Sequence, residues 1–491
     1  MNPNTAEIVA KLWRECKTLQ SAGVSYSNYV NELTYLLFLK MLEETGKENR
    51  LPNGHSWRRL ATTEGGDQLR YYKAMLLELG DPEETKDPVT LAIFTDAMTH
   101  LREPKDLKTL TTNIDKLDWY TAREDGLGDL YEGLLEKTTS ATKSKAGQYF
   151  TPRALIDSII RLIKPKAGEV VQDPAAGTGG FLIAADQYIK DRTDNLFKLS
   201  ESEGNFQRKQ AFHGHEWVPD THRLCVMNML LHGIESIVGC EDTCAPQGEA
   251  MENADVILTN PPFNKMSGNV NRPDFTITAG ERVGPMPFLE HAIRNLKTGG
   301  RCAIVMPDNI LFGDGTGTEL RRFLMVNCNL HTILRLPTGI FYAQGVKTNV
   351  MFFNRVTKKD FPADHSEQAT KDVWFYDLRA NMPSFGKTNA LTAKHFEEFE
   401  SLYGDDPLGG SNRKEQGEDS RWRKLTREQI TERGDNLDWS WLRDESGDPE
   451  DDMADPDEIA AAIMGHLRAA LDEIEALSEE LEETTEVEAA E

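Results

Sequence analysis

Ala254-Asp255-Val256-Ile257-Leu258-Thr259-Asn260-Pro261-Pro262-Phe263 is the stretch whose reading decides the fold of this chain. Its first half is apolar with β-branched residues, the make-up of a buried strand. Its second half stops that strand abruptly. Pro261 and Pro262 donate no ladder hydrogen bonds, and Pro261 keeps Asn260 out of the helical region. The strand therefore delivers Asn260 to its C-terminal edge on a rigid turn, with Phe263 just beyond. In an open α/β sheet that edge is where ligands bind. Alone, the stretch reads equally as a strand ending in a Pro-rich turn, so its weight depends on its surroundings.

Upstream stands Glu169-Val170-Val171-Gln172-Asp173-Pro174-Ala175-Ala176-Gly177-Thr178-Gly179-Gly180-Phe181, leading into a helix over Leu182–Ile189. Strand, Gly-rich turn and helix N-terminus form a ligand-binding βα unit, in which Gly177 and Gly179 let the backbone approach a ligand. The pattern is neither a strict G-x-G-x-x-G nor a P-loop. Asp173 at the strand end argues against a pyrophosphate and suits a ligand with a positive charge or an amino group. The next strand, Gln210 to Glu216, ends on a carboxylate suited to both hydroxyls of a ribose. Its distance from the glycines implies an insertion around Lys190–Gly204. After a helix over Thr221–His232, Val238-Gly239-Cys240-Glu241-Asp242 reads as a third strand end, which places Asp242 near the same cleft.

Before this unit, Gly147-Gln148-Tyr149-Phe150-Thr151-Pro152-Arg153 precedes an apolar helix from Ala154 to Ile163. Thr151 is expected to cap that helix, with Pro152 in its first turn. Capping leaves the aromatic pair Tyr149-Phe150 unexplained. After Phe263, the polar, Gly-rich Asn264–Pro287 reads as a mobile active-site loop. Helix Phe288–Leu296, strand Arg301–Met306, strand Asn329–Leu336 and its hairpin-like partner Gly345–Asn354 follow. Alternation of strand and helix from 154 to 355 predicts an α/β, doubly wound, mostly parallel sheet.

The flanks differ in character. Residues 1–140 read as an N-terminal helical domain, with Ile8, Val9, Leu12, Trp13, Cys16 and Leu19 at helical spacing. Further helical patterns run over Tyr29–Leu42, Leu69–Leu79 and Val89–Leu101. The sheet domain is expected over 141–400 and a linker and docking segment over 401–454. An acidic C-terminal helix is expected over 455–491, with Ile459, Ile463, Leu467, Leu471, Ile474, Leu477 and Leu481 in one stripe. That stripe suits a partner helix as well as its own domain.

Composition bounds the partners. The net charge is −26. Residues 443–491 hold 19 acidic and 2 basic side chains, against 62 and 53 in the rest, so the body is far less acidic than the total suggests. The start of the chain lacks a basic region followed by an apolar stretch, and no apolar run is long enough to span a bilayer, so a cytoplasmic protein without a membrane is expected. Six cysteines in 491 residues fit a reducing compartment. His213, His215 and Glu216 lack a deaminase signature, and Cys240 and Cys244 lack a second pair, so no metal is expected.

Taken together, these strand ends describe a reaction. An asparagine oxygen and a proline carbonyl on a rigid turn can accept both hydrogens of a planar exocyclic amine, which draws the nitrogen toward sp³. Attack on a sulfonium methyl group then needs positioning more than a strong base. Phe263 can stack on the ring bearing the amine, and a base presented this way must leave the duplex.

Asp173–Phe181 and Asn260–Phe263 resemble the S-adenosylmethionine and catalytic motifs of N6-adenine DNA methyltransferases, and Gly147–Arg153 resembles the additional cofactor motif of one permutation class. With its helical flanks, the chain resembles the modification subunit of type I restriction–modification systems. The resemblance implies cofactor contacts from Gln148, Tyr149, Phe150, Thr151, Pro152 and Arg153, and from Asp173, Gly177, Thr178, Gly179 and Gly180. It also implies Glu216 on the ribose and Asp242 near the cofactor adenine. It gives Asn260 and Pro261 the target amine, with Pro262 completing the turn, and Phe263 the base. Double-stranded DNA, a separate specificity subunit and a restriction (nuclease) subunit are the implied partners. Two alternatives stay open. One is a self-sufficient amino-methyltransferase acting on DNA, RNA or a protein glutamine, although glutamine enzymes usually carry tyrosine at the position of Phe263. The other is a non-catalytic cofactor-binding scaffold.

Overall fold

A computed structural model describes residues 24–117, 119, 128, 131–135, 151–264, 268–341, 346–356, 368–382, 385, 389, 391–442 and 464. Gln148, Tyr149, Phe150, the expected first helix and the acidic stripe residues lie outside this set.

Eight strands form one sheet in the order β2-β1-β3-β4-β6-β5-β7-β8. They are β1 (Val171–Asp173), β2 (Phe212–Gly214), β3 (Ala254–Thr259), β4 (Leu296–Pro307), β5 (Cys328–Leu336), β6 (Thr348–Arg355), β7 (Asp372–Asp377) and β8 (Trp422–Thr426). All run one way except β6, inserted antiparallel between β4 and β5, and β8, antiparallel to β7. The expected mostly parallel sheet and the hairpin-like β5–β6 pair are both present. Alternate residues explain why: Val256, Leu258, Ala303, Val305, Val350 and Phe352 enter the core on one face, and Ile257, Cys302, Ile304, Met351 and Phe353 enter the core on the other. Strands apolar on both sides must be covered on both sides.

The helical domain comprises α1 (Tyr26–Glu44), α2 (Trp57–Thr62), α3 (Gly65–Leu79), α4 (Pro88–Phe94) and α5 (Pro104–Asp115). The helix expected over Val89–Leu101 ends early. Asp96 turns the chain with φ +53, and the following loop is fastened by buried Glu32, whose carboxylate accepts from His100 N at 2.6 Å and Tyr72 Oη at 2.9 Å. Burial raises the pKa of Glu32 above the carboxylate norm, and the hydrogen bonds it accepts oppose that rise.

The covering helices are α6 (Arg153–Ile163), α7 (Gly180–Arg192), α8 (Glu201–Lys209), α9 (Pro219–Leu231), α10 (Pro285–Asn295), α11 (Thr316–Asn327), α12 (Glu397–Tyr403) and α13 (Arg427–Glu432). Where an insertion was expected around Lys190–Gly204, the chain forms the turn Asp194-Asn195-Leu196, all at positive φ, and the start of α8. Helix α9 joins the two cores: Cys225 and Met229 face the sheet, while Val226 and Met227 enter the helical-domain core. Arg223 locks that junction by donating to Ile93 O at 2.7 Å and Thr95 O at 2.9 Å.

Two stretches read as loose are tightly held. The described part of the loop after Phe263 is gathered by the fully buried Glu290 of α10, which accepts from the backbone amides of Thr276 and Thr278 and the Thr278 hydroxyl at 2.7–2.9 Å. Arg272 of the same loop is buried, paired with Asp274 at 2.8 Å, and donates to Thr243 O. A mobile loop was expected; its polar side chains and amides are instead satisfied inward. Farther on, Arg413 donates to Thr332 Oγ1 and Tyr403 O, and β8 completes the sheet. Asp438, Trp439 and Ser440 close over Arg335, which bonds all three.

Candidate active site

The C-terminal ends of β1, β2 and β3 converge. At β1, Asp173 is buried and its carboxylate accepts from Ala175 N at 3.1 Å, closing the turn that follows. Burial pushes its pKa up to about 7; the Thr259 hydroxyl and the Ala175 amide oppose that, and nearby Glu216 adds to it. Gly177 (φ +56) and Gly179 (φ +81) carry the left-handed turn into α7. A Cβ on Gly179 would sit 3.2 Å from Cys225 Sγ, so the turn packs directly on α9. A Cβ on Gly177 would meet nothing within 4 Å among the described residues, which leave space over the turn for a ligand.

Two side chains absent from the sequence reading brace this turn. Asn228 of α9 donates to Thr178 O at 2.9 Å, and Thr243 donates to Pro174 O at 2.7 Å. Their partners are 50 and 69 residues away, so no local pattern marks them.

Glu216 follows β2 and accepts from Gly177 N at 2.9 Å and Val218 N at 2.8 Å. Burial raises its pKa to about 7, against these two amides. The acidic strand end is thus tied to the glycine turn, as the common-cleft reading required. Trp217, next in sequence, is 59% exposed, an unusual placement for an indole. An aromatic residue beside an acidic strand end was visible in the sequence and went unused. The expected third strand is only a single parallel bridge, Gly239 to His215. Asp242 caps the turn after it, accepting from Cys244 N at 2.8 Å, and adjacent Thr243 holds this turn against Pro174.

The His215 and His213 rings each lie by a glutamate, Glu241 at 3.3 Å and Glu252 at 3.5 Å. Among the described residues no group of three or more His, Cys, Asp and Glu has the arrangement of a metal site.

At β3, Asn260 Nδ2 donates to Thr151 Oγ1 at 3.0 Å, while its Oδ1 is buried without a hydrogen-bond partner among the described residues. Thr151 was expected to cap α6, and it does not: Pro152 is the cap residue, no side chain bonds the first amides, and the Thr151 hydroxyl turns to Asn260 instead. Arg153 pairs with Glu132 at 2.9 Å and Asp157 at 3.2 Å. Phe263 is buried, its ring edge-to-face with Phe341 at 5.4 Å. Phe341, which follows β5, had no place in the sequence reading.

The site therefore joins a buried acidic pair, an open glycine turn and an orphaned asparagine oxygen at one sheet edge. The model of the family N-6 DNA Methylase matches residues 122–446, which makes the class an adenine-N6 DNA methyltransferase. The chain is 47% identical to the StySPI type I restriction enzyme methylase subunit of Salmonella potsdam and 46% identical to the EcoKI methylase subunit of Escherichia coli K12. In each case the match covers 97% of this chain and 96% of the relative. The crystal structure of the EcoKI M protein aligns at 43% identity with a TM-score of 0.57, over 97% of this chain and 96% of that one. A second chain, from a structural study of complex assembly and conformational transition in the type I R-M system, aligns at 26% identity and a TM-score of 0.69. It covers 97% of this chain and 98% of its own. This chain belongs to the methylase subunits of type I restriction enzymes, and it methylates the N6 amine of adenine in DNA. That reading displaces the self-sufficient enzyme and the scaffold. Among the described residues, no helix is long and apolar enough to cross a membrane.

Proposed function

We propose that the methyl donor is S-adenosylmethionine and that Asn260 and the carbonyl of Pro261 hold the amine of an adenine flipped out of double-stranded DNA. The observation that carries this reading is the orphaned Oδ1 of Asn260. A buried carbonyl left unpaired costs about 1–3 kcal/mol, a cost that an arriving donor removes. An exocyclic amine brings two such donors in one plane, and a rigid Asn-Pro-Pro turn offers two acceptors. Accepting both hydrogens localises the lone pair on nitrogen, so the residues act by orientation and no strong base is required.

The residues present fit the donor. Space over Gly177 lets backbone lie close to a ligand, and among the described residues no cation pairs with the buried carboxylates of Asp173 and Glu216. When bound, S-adenosylmethionine supplies a methyl group on positively charged sulfur. Thr178, Gly179 and Gly180 would hold its methionine end with Gln148 to Arg153. Glu216 would hold the ribose, and Asp242 with Trp217 the adenine. Phe263 and Phe341 would part to admit the target base between rings.

The reading includes a specificity subunit that supplies site recognition, and a restriction subunit in the complete system. Isothermal titration with S-adenosylmethionine, followed by transfer of tritiated methyl to duplex DNA by the reconstituted complex, tests it. One donor site per chain and label in N6-methyladenine are expected. No binding, or label in another product, overturns it.

A further inference from the structure

We infer that Thr151 is a positioning residue for the target amine: its hydroxyl fixes the amide plane of Asn260 so that Oδ1 is left for the base. The inference rests on the assignment of Asn260 proposed above and goes beyond the role of residues 148–153 as a cofactor lining.

The difficulty it answers is rotational. Pro261 and Pro262 restrict the backbone at Asn260 but not its terminal amide torsion, which is broad for asparagine. A turned-over amide would aim –NH2 hydrogens at the amine it must accept from, donor against donor. Something must take up Nδ2 and leave the acceptor facing the other way. Thr151 Oγ1 lies 3.0 Å from Nδ2, across 109 residues of sequence. Oδ1, buried and unpaired, is left over by that one bond.

Thr151 is itself well held. It precedes Pro152, which confines it to extended backbone, and its β-branched side chain is stiff at χ1. Pro152 O accepts from Leu155 N at 2.9 Å and Ile156 N at 3.1 Å, so Thr151 stands on the first turn of α6. That helix is anchored by Leu155, Ile156, Ile159, Ile160, Leu162 and Ile163, all buried. On the outer side, Arg153 clamps the helix start to Glu132 and Asp157. Thr151 stands one residue before the cap position, which Pro152 holds, and its hydroxyl accepts from the Asn260 amide instead.

The test uses the complete modification complex with Thr151→Val, Thr151→Ala, Thr151→Ser and Asn260→Ala. Single-turnover methyl transfer, the Kd for S-adenosylmethionine and the KM for DNA are measured on each. Removing the hydroxyl is expected to slow transfer about tenfold to a hundredfold even at saturating donor, with the KM for DNA within about twofold of the parent. Thr151→Ser is expected to restore most of the rate. Wild-type transfer in both Thr151→Val and Thr151→Ala would overturn the inference. So would a loss confined to the donor Kd, with transfer at saturating donor unchanged, which would leave Thr151 a cofactor contact alone. Thr151→Ala covers the case in which valine disturbs folding. If Asn260→Ala itself transfers normally, the assignment of Asn260 falls. If it is inactive while the hydroxyl-free variants are normal, only the positioning role falls.

Discussion

At the scale of single residues, the proposed function divides the site into groups that would hold the donor and groups that would hold the amine. Asn260→Ala removes an acceptor needed as the amine reorganises, so it is expected to lower methyl transfer by on the order of a hundredfold or more while the donor Kd stays nearly unchanged. Tritiated-methyl assay and titration on one preparation check this. Glu216→Ala is expected to do the reverse. It removes a ribose acceptor and also the partner of the Gly177 and Val218 amides, weakening donor binding by about 1.5–3 kcal/mol, roughly tenfold or more. The pH dependence follows from the same carboxylates. Burial raises Asp173 and Glu216 to about 7 in the free protein. A cationic donor favours their ionised forms and lowers those values, so binding releases protons. Affinity should therefore rise as pH increases through about 7 and fall as it drops below, and titration in buffers of different ionisation enthalpy should detect the released protons. Asp173, Glu216, the glycines and Asn260 were legible in the sequence because each ends a strand or shapes a turn. The hydroxyl of Thr151 was misread as a cap, since its actual partner lies on a strand far along the chain. Asn228 and Thr243 escaped notice for the same reason.

At the scale of elements, what was legible follows periodicity. Strands β3, β4 and β6 announce themselves by apolar residues on both faces, and α6 by its buried stripe. Val89–Leu101 was overread because Met98 and Leu101 extend the helical spacing, which does not reveal the turn at Asp96. The loop after Phe263 was misread because composition records polarity and not where amides point. Glu290, in the next helix, collects those amides and also pairs with Arg294 at 2.8 Å. Glu290→Ala strands several buried donors at once, and is expected to cost about 3–5 kcal/mol. A Tm lowered by several degrees, with faster proteolysis within 268–284, would show this; an unchanged Tm would mean the loop is held by Arg272 alone. Gly339, with φ +85, turns the chain just before Phe341, and a Cβ there would lie 2.2 Å from Phe385 O. Gly339→Ala must shift that turn and with it the ring against Phe263, so lower transfer and lower stability are expected together, read by the same assay and a melting curve.

At the scale of the whole molecule, the argument concerns what the chain does without its partners. The described residues are taken up by a helical domain, an eight-stranded sheet and the helices that cover it. None of these elements was legible as a reader of bases, and the net charge of −26 opposes unaided binding to phosphates. Site-specific methylation requires contacts that fix register on the duplex and contacts that read base edges. In the proposed reading a specificity subunit supplies both, while the donor site draws on β1, β2 and α7 of this chain. The expected outcome is that the isolated chain binds S-adenosylmethionine yet leaves DNA largely unmodified, and that adding the specificity subunit produces N6-methyladenine at one defined motif. Adding salt should weaken the complex's DNA binding steeply and the lone chain's donor binding little, because only the former releases many counterions. Methylation of the purified chain with and without its partner, mapped by sequencing, decides the matter. Robust modification of a single motif by the chain alone would place base reading within these residues and remove the need for a separate subunit.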